Sequence, residues 1–164
     1  MNPAKMLIVM ALVINIVKGE PEEDKLSQIP GYPTTFTNRA YAGYLSTDSD
    51  SRKLHYVFLE SSQGASNSAP VMLWLNGGPG CSSKIGFIQE LSPYCLNAFQ
   101  PYSAQDNLTP NPYSWSNITN LLFLDSPAGV GFSINTDPNY TFNDANTAKD
   151  NLLALKDFFS NKFP

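Results

Sequence analysis

The sequence predicts an α/β fold built on a sheet with parallel strands, and three observations carry the prediction. Residues 71–75 (VMLWL) and 120–125 (NLLFLD) are short, nearly unbroken apolar runs, the pattern of strands covered on both faces. A long connection separates them. A stretch with helical periodicity follows the second run, as it does where helices pack on a sheet.

Composition bounds the rest. With 42% hydrophobic and 15% charged residues, the chain is far from the regime of disorder, and 164 residues make one domain or part of one. The formal net charge is -4 and the 10 Lys plus Arg form no cluster, so there is no basic face to neutralise a phosphate backbone; no nucleic-acid partner is expected. No histidine or cysteine cluster has metal-ligand spacing, and neither a metal nor another cofactor is expected.

Taken in order, Lys5 precedes an apolar run over residues 6–17, and Val17 and Gly19 stand at the spacing of a small-residue cleavage site. Residues 1–19 read as a secretory signal peptide. The run is shorter than the roughly 20 residues that span a bilayer. Glu20, Glu22, Glu23 and Asp24 follow at once, and no membrane association is expected once the signal is removed. Export gives meaning to acceptor patterns for N-glycosylation at Asn107, Asn117 and Asn139. Asn139 is preferred because it lies in a polar, turn-forming stretch, whereas Pro110 weakens Asn107 and Asn117 runs directly into an apolar strand. In an oxidising compartment Cys81 can bridge to Cys95, or equally to a cysteine this chain lacks.

Residues 20–38, rich in Pro, Glu, Thr and Gly, read as an extended leader ordered only by docking. Residues 39–45 and 53–60 are strand-like and flank a polar tract, the signature of an antiparallel hairpin. After residues 71–75 comes a stretch interrupted by Pro93, Pro101, Pro110 and Pro112, with a short helix expected over 85–91. The last element is a helix capped by Asn143 or Asp144, with Ala148, Leu152, Leu155 and Phe159 as its apolar stripe.

The chemistry concentrates where the strand at 71–75 stops in Asn76-Gly77-Gly78-Pro79-Gly80. Glycines let a substrate approach backbone N–H groups at the sheet's carboxyl edge, and such donors suit a developing oxyanion. One of them is worth about 2.7 to 4 kcal/mol of transition-state stabilisation in acyl transfer. A phosphate cradle fits poorly, because Pro79 lacks an N–H and Lys84 is not followed by Ser or Thr. A plain tight turn is the alternative that the pentapeptide alone leaves open.

Three blocks, LWLNGGPGCSS, NPYSWSN at 111–117 and FLDSPAGVGFS at 123–133, together resemble the serine carboxypeptidases, a family of α/β hydrolases. Weaker likeness runs through YAGYL, HYVFLES, IQEL and DNLLALKDFF and covers nearly all of residues 20–164. The resemblance implies the N-terminal part of an α/β-hydrolase domain, with a mixed, mostly parallel sheet, truncated before the nucleophile elbow. The family's G-E-S-Y-A-G turn would follow Pro164, so none of the Ser, Asp and His triad is expected in this chain, which alone would be inactive. The family likeness gives the Gly78 N–H an oxyanion role. It gives Asn76, Gly77 and Glu90 the binding of a peptide's free C-terminal carboxylate. For Glu90 to face a carboxylate, burial and like-charge proximity should raise its pKa.

The remaining candidates read as structural. His55 lies before the glycine loop, whereas this fold orders its triad Ser, acid, His. Ser82, Ser83, Ser126 and Ser133 lack a strand–elbow–helix setting, and Trp74 and Trp115 read as core or pocket wall. The implied activity is release of C-terminal amino acids through an acyl-enzyme, in the lysosome, vacuole or extracellular space. The alternatives are a noncatalytic module that binds peptide C-termini and an acyltransferase relative. In the family's sheet order the next strand would sit beside residues 71–75, leaving an apolar edge that makes the isolated chain poorly soluble.

Overall fold

The computed structural model describes residues 20–29, 31–33, 38–62, 68–96 and 108–164. The signal-peptide reading of residues 1–19 and the acceptor Asn107 lie outside them. The elements are β1 (Ala40–Ser46), β2 (Arg52–Leu59), β3 (Val71–Trp74), α1 (Lys84–Gly86, extended by a wider turn, Phe87–Leu91), β4 (Tyr94–Leu96), β5 (Leu108–Pro110), β6 (Asn120–Leu124), β7 (Ile134–Asn135) and α2 (Asp144–Asp157, extended by Phe158–Lys162). Each element anticipated from the sequence is present, within a residue or two at its ends.

The main sheet runs β1-β2-β6-β3. The expected hairpin pairs β1 with β2 antiparallel from Ala40↔Leu59 to Ser46↔Lys53, and β2 pairs antiparallel with β6 and with β7. The parallel part is the β3–β6 pair, in register from Val71↔Asn120 to Trp74↔Phe123. The sheet is mixed, as expected, but among the described residues β3–β6 is its one parallel pair, so this part is mostly antiparallel where a mostly parallel sheet was expected: the hairpin and β7 all pair around β2. β4 and β5 form a separate small ribbon.

Strand alternation builds two cores. Tyr41, Leu45, Leu54, Tyr56, Phe58, Leu122 and Leu124 point to one face, where Ala154 and Phe158 of α2 cover them. Val57, Leu59, Leu121 and Phe123 point to the other, under Phe87 and Leu91 of the first helix and Tyr32 of the leader. β6 is therefore buried along its whole length, as its apolar run predicts. β3 is not. It is the edge strand of the sheet, with Met72 36% and the following Leu75 43% exposed.

The described residues of the leader dock on the sheet and on the chain's last helix, as expected. The Leu26 N–H donates to the Ala40 carbonyl at 2.8 Å, and Asp24 accepts hydrogen bonds from the Tyr56 hydroxyl at 2.8 Å and from the Lys162 ammonium at 2.7 Å. Gly43 makes room for that carboxylate, because a Cβ there would collide with Asp24.

Helix α2 begins where the sequence placed it: Asn143 is the cap, its side chain accepting the Asn146 N–H at 2.8 Å. Of the expected stripe, Leu155 packs against the core, whereas Ala148, Leu152 and Phe159 lie outside the buried face. Asp150, Ala154 and Phe158 face the sheet, while Leu152 and Phe159 are about half exposed. Asp150 shares that face with Ala154 and Phe158, and it has the partners a buried carboxylate requires: Arg52 at 3.1 Å and the Tyr140 hydroxyl, which donates to it at 2.9 Å.

Candidate functional site

β3 ends at Trp74, and the chain then passes through the glycine loop into the first helix. Asn76 is fixed at the loop's entrance. Its Oδ1 accepts the Trp74 indole N–H at 2.7 Å and the Gly86 N–H at 3.2 Å, and its own N–H donates to Ser83 Oγ at 3.0 Å. With the oxygen doubly occupied, the amide orientation is set and Nδ2 is the end left to donate. Gly86 is required here, since a Cβ would collide with the Trp74 indole.

The loop itself stands clear of the body. Gly77, Gly78, Pro79 and Gly80 are exposed. A Cβ on Gly77 or Gly80 would meet nothing within 4 Å, so these faces are open to a ligand. Gly78 sits at φ 141° with the nitrogens of Gly80 and Cys81 3.0 and 3.1 Å from where a Cβ would stand, a conformation and a closeness that only glycine tolerates. Backbone amides are thereby gathered at one point beyond the carboxyl end of β3.

Beneath the loop lies a group that motif reading passed over, Asp125, at the end of β6 and fully buried. Its Oδ1 accepts the Ser82 hydroxyl at 2.7 Å and the Ser83 N–H at 2.8 Å, and its Oδ2 accepts the Phe132 N–H at 3.1 Å. Lys84 Nζ forms an ion pair with Oδ2 at 3.1 Å without the alignment of a hydrogen bond. Burial would raise the Asp125 pKa, but the Ser82 hydroxyl, the Phe132 amide and Lys84 outweigh it and hold the carboxyl below its ordinary range. Burial also lowers the pKa of Lys84, with Asp125 opposing. The signal was in the sequence: a carboxylate directly after five residues of buried strand must be given partners.

His55 belongs to this cluster and behaves as a structural residue. Its ring lies against Tyr44 and Phe132, with centroids 5.3 Å away in each case, and its Nδ1 is 3.9 Å from Asp125 Oδ2 with no hydrogen-bond partner. Burial, then the Lys84 charge, brings its pKa down to about 4 against the opposing pull of Asp125 and Asp24. The serines are also occupied: Ser83 Oγ donates to the Leu124 carbonyl at 2.6 Å, Ser133 Oγ to the Asp125 carbonyl at 2.7 Å, and Ser126 Oγ to Asn151 at 2.7 Å.

Glu90 lies four residues beyond Gly86, about one helical turn from the contact that holds Asn76. It is exposed. Among the described residues the burial expected for it is not seen, and its carbonyl accepts from Asn111 Nδ2 at 3.0 Å. Trp74 and Trp115 meet edge to face at 6.1 Å, so Trp115 packs beside the Asn76 anchor. Cys81 and Cys95 are both free, and the bridge between them is not made. Asn139 is exposed, as its sequence context predicts. Asn117 accepts from Ser62 Oγ at 3.2 Å, and the hydroxyl of its acceptor-pattern partner, Thr119, donates inward to the Pro70 carbonyl at 2.6 Å. Among the described residues no group of His, Cys, Asp and Glu could hold a metal ion.

A model of the serine carboxypeptidases matches residues 30–164, which contain both the loop and its Asp125 support. The chain belongs to the serine carboxypeptidase family. It is 43% identical over 155 residues to serine carboxypeptidase-like 21 of Arabidopsis thaliana, covering 93% of this chain and 31% of that protein. It is 47% identical over 139 residues to the lysosomal protective protein of Mus musculus, covering 85% and 28% respectively. With serine carboxypeptidase ctsa-4.1 of Caenorhabditis elegans the identity is 44% over 144 residues, 88% of this chain and 29% of the relative. Among solved structures, Kex1(delta)p, a prohormone-processing carboxypeptidase from Saccharomyces cerevisiae, superposes with a TM-score of 0.58 at 27% identity, over 74% of this chain and 28% of its own. The chain thus spans less than a third of the length of each of these relatives. Within the family's α/β-hydrolase fold it supplies β3, its glycine loop and the strands beside them.

Proposed function

We propose that this chain forms the part of a serine carboxypeptidase that receives the C-terminus of a peptide and donates to the oxyanion. One observation carries the reading: Asn76 is held by its oxygen, so its Nδ2 can donate, at the entrance of a loop whose Gly77 and Gly78 are exposed to solvent. In this reading Asn76 Nδ2 and the Gly77 N–H take the free carboxylate. The Gly78 N–H faces the scissile carbonyl oxygen, where it contributes most as negative charge develops. Glu90, on the helix that follows, is the third group in this reading that meets the substrate carboxylate. The nucleophile, base and acid of the reaction come from sequence beyond these residues, and water releases the amino acid product's partner from the acyl-enzyme.

The substrate is a peptide or protein with a free C-terminus, and the compartment is the lysosome, the vacuole or the extracellular space. A relative that is lysosomal by name supports that route. Exposed Asn139 is the favoured glycan acceptor on it. The test is to express the longest product of the gene that includes this chain in a secretory host and supply a blocked dipeptide as its free acid and as its amide. Release of the C-terminal residue from the acid alone, abolished by a serine-directed fluorophosphonate, is the expected result. Equal cleavage of acid and amide, or none of either, overturns the reading.

A further inference from the structure

The glycine loop is an open arch whose two feet rest on the same support. At one foot the Asn76 N–H donates to Ser83 Oγ, which in turn donates to the Leu124 carbonyl; at the other, Ser82 Oγ and the Ser83 N–H both donate to Asp125 Oδ1. Between the feet, Gly77 and Gly80 have open space where side chains would be. The opposite oxygen of the same carboxylate holds the next loop of the sheet edge through the Phe132 N–H, and Gly131, at φ 57°, is glycine because a Cβ would strike Asp125 and Ser82. The arch has one further anchor, at Asn76, whose Oδ1 accepts the Trp74 indole N–H and the Gly86 N–H.

We propose that Asp125 is the positioning residue of the glycine loop: its two carboxylate oxygens clamp the loop after β3 to the loop after β6, and so fix where the amides of Gly77 and Gly78 point. Asp125 touches no substrate and acts through Ser82 and Ser83. The importance of the clamp for peptide binding rests on the function proposed above; the clamp itself does not.

The charge on Lys84 gives the idea a directional test. In Asp125→Asn only one side-chain oxygen remains. The Lys84 ammonium, beside Oδ2, attracts that oxygen and repels the new amino group, so the oxygen stays with Phe132 and the amino group faces the donors of Ser82 and Ser83. The arch is released while the second loop is kept. Hydrogen exchange resolved by residue should show the Ser83 amide exchanging about tenfold faster and the Asn76 amide, which Asp125 does not touch, about threefold faster. The Phe132 amide and the paired amides of β1 and β2 should keep their wild-type rates. A general loss of stability would accelerate all of them together, and that result, or no change at Asn76, overturns the proposal. If Asp125→Asn does not fold, Ser82→Ala removes one bond of the clamp, and unchanged exchange at Asn76 in that variant overturns it equally. Binding of N-acetyl-Ala-Phe as acid and as amide separates the two ideas. Faster Asn76 exchange with no preference of the wild type for the acid retains the clamp and removes the carboxylate-binding role; a preference lost in Asp125→Asn supports both.

Discussion

β3 and β6 are neighbours in one sheet, parallel and in register, and both are written as apolar runs, yet they live in different surroundings. Every residue of β6 is buried, whereas no residue of β3 is. An apolar run records the cover a strand is suited to, and the neighbours present decide how much of that cover exists. β6 has a strand on each side and a helix on each face. β3 has β6 on one side and its other edge open among the described residues, which leaves Met72 and Leu75 partly in water.

The sharpest way to break the comparison is to hollow each strand. Phe123→Ala in β6 removes a fully buried ring that packs on Phe87 at 5.3 Å and should cost about 3–5 kcal/mol by urea denaturation. Met72→Ala in β3 should cost about 1 kcal/mol or less; equal losses would mean the two strands are equally covered. The loops that follow the strands divide the same way. Gly131→Ala, at positive φ and against the Asp125 carboxylate, should lower stability by about 2–4 kcal/mol, while Gly77→Ala, with nothing within 4 Å, should leave the melting midpoint unmoved.

A pH titration sharpens the contrast at the β6 end. The unfolded chain protonates His55 near its ordinary pKa of about 6.5, but the folded chain waits until about pH 4 because burial and Lys84 disfavour the imidazolium despite Asp125 and Asp24. Stability contributed by neutral His55 is therefore complete above pH 6.5 and falls between there and pH 4, by on the order of 3 kcal/mol. His55→Gln should flatten that segment of the curve measured by urea midpoints. A small effect on stability is also expected at the open edge. Leu75→Lys should change unfolding by less than about 0.5 kcal/mol and raise the concentration at which the chain stays monodisperse in ultracentrifugation; unchanged association would mean the β3 edge is not the sticky surface.

How far the sequence could be read follows from the same contrast. The β1–β2 hairpin, β6, the Asn143 cap and the placement of the glycine loop at a strand's carboxyl end all come from local signals: alternation, capping chemistry and an unbroken apolar run. The face of α2 was legible only in part, because its buried residues, Asp150, Ala154 and Phe158, begin with a carboxylate, and an apolar count gives no weight to one whose burial depends on Arg52, 98 positions away in sequence. Asp125 escaped for a related reason. Motif reading looks for residues that meet a ligand, and Asp125 meets only the residues that hold the loop. Glu90 shows the converse, a residue placed correctly on its helix while the cover expected over it is missing from this stretch of chain.

The contact between Asp24 and Lys162 has a consequence for the order of biosynthesis. The two residues are 138 positions apart and meet at 2.7 Å, so the leader cannot complete its docking until residue 162 has been made. At roughly 5–20 residues per second, a ribosome would leave the Asp24 carboxylate waiting on the order of ten seconds, held only by Tyr56 and the β1 edge. For that interval the leader stands without the ion pair that ties it to the far end of the chain, and the arrival of Lys162 supplies it.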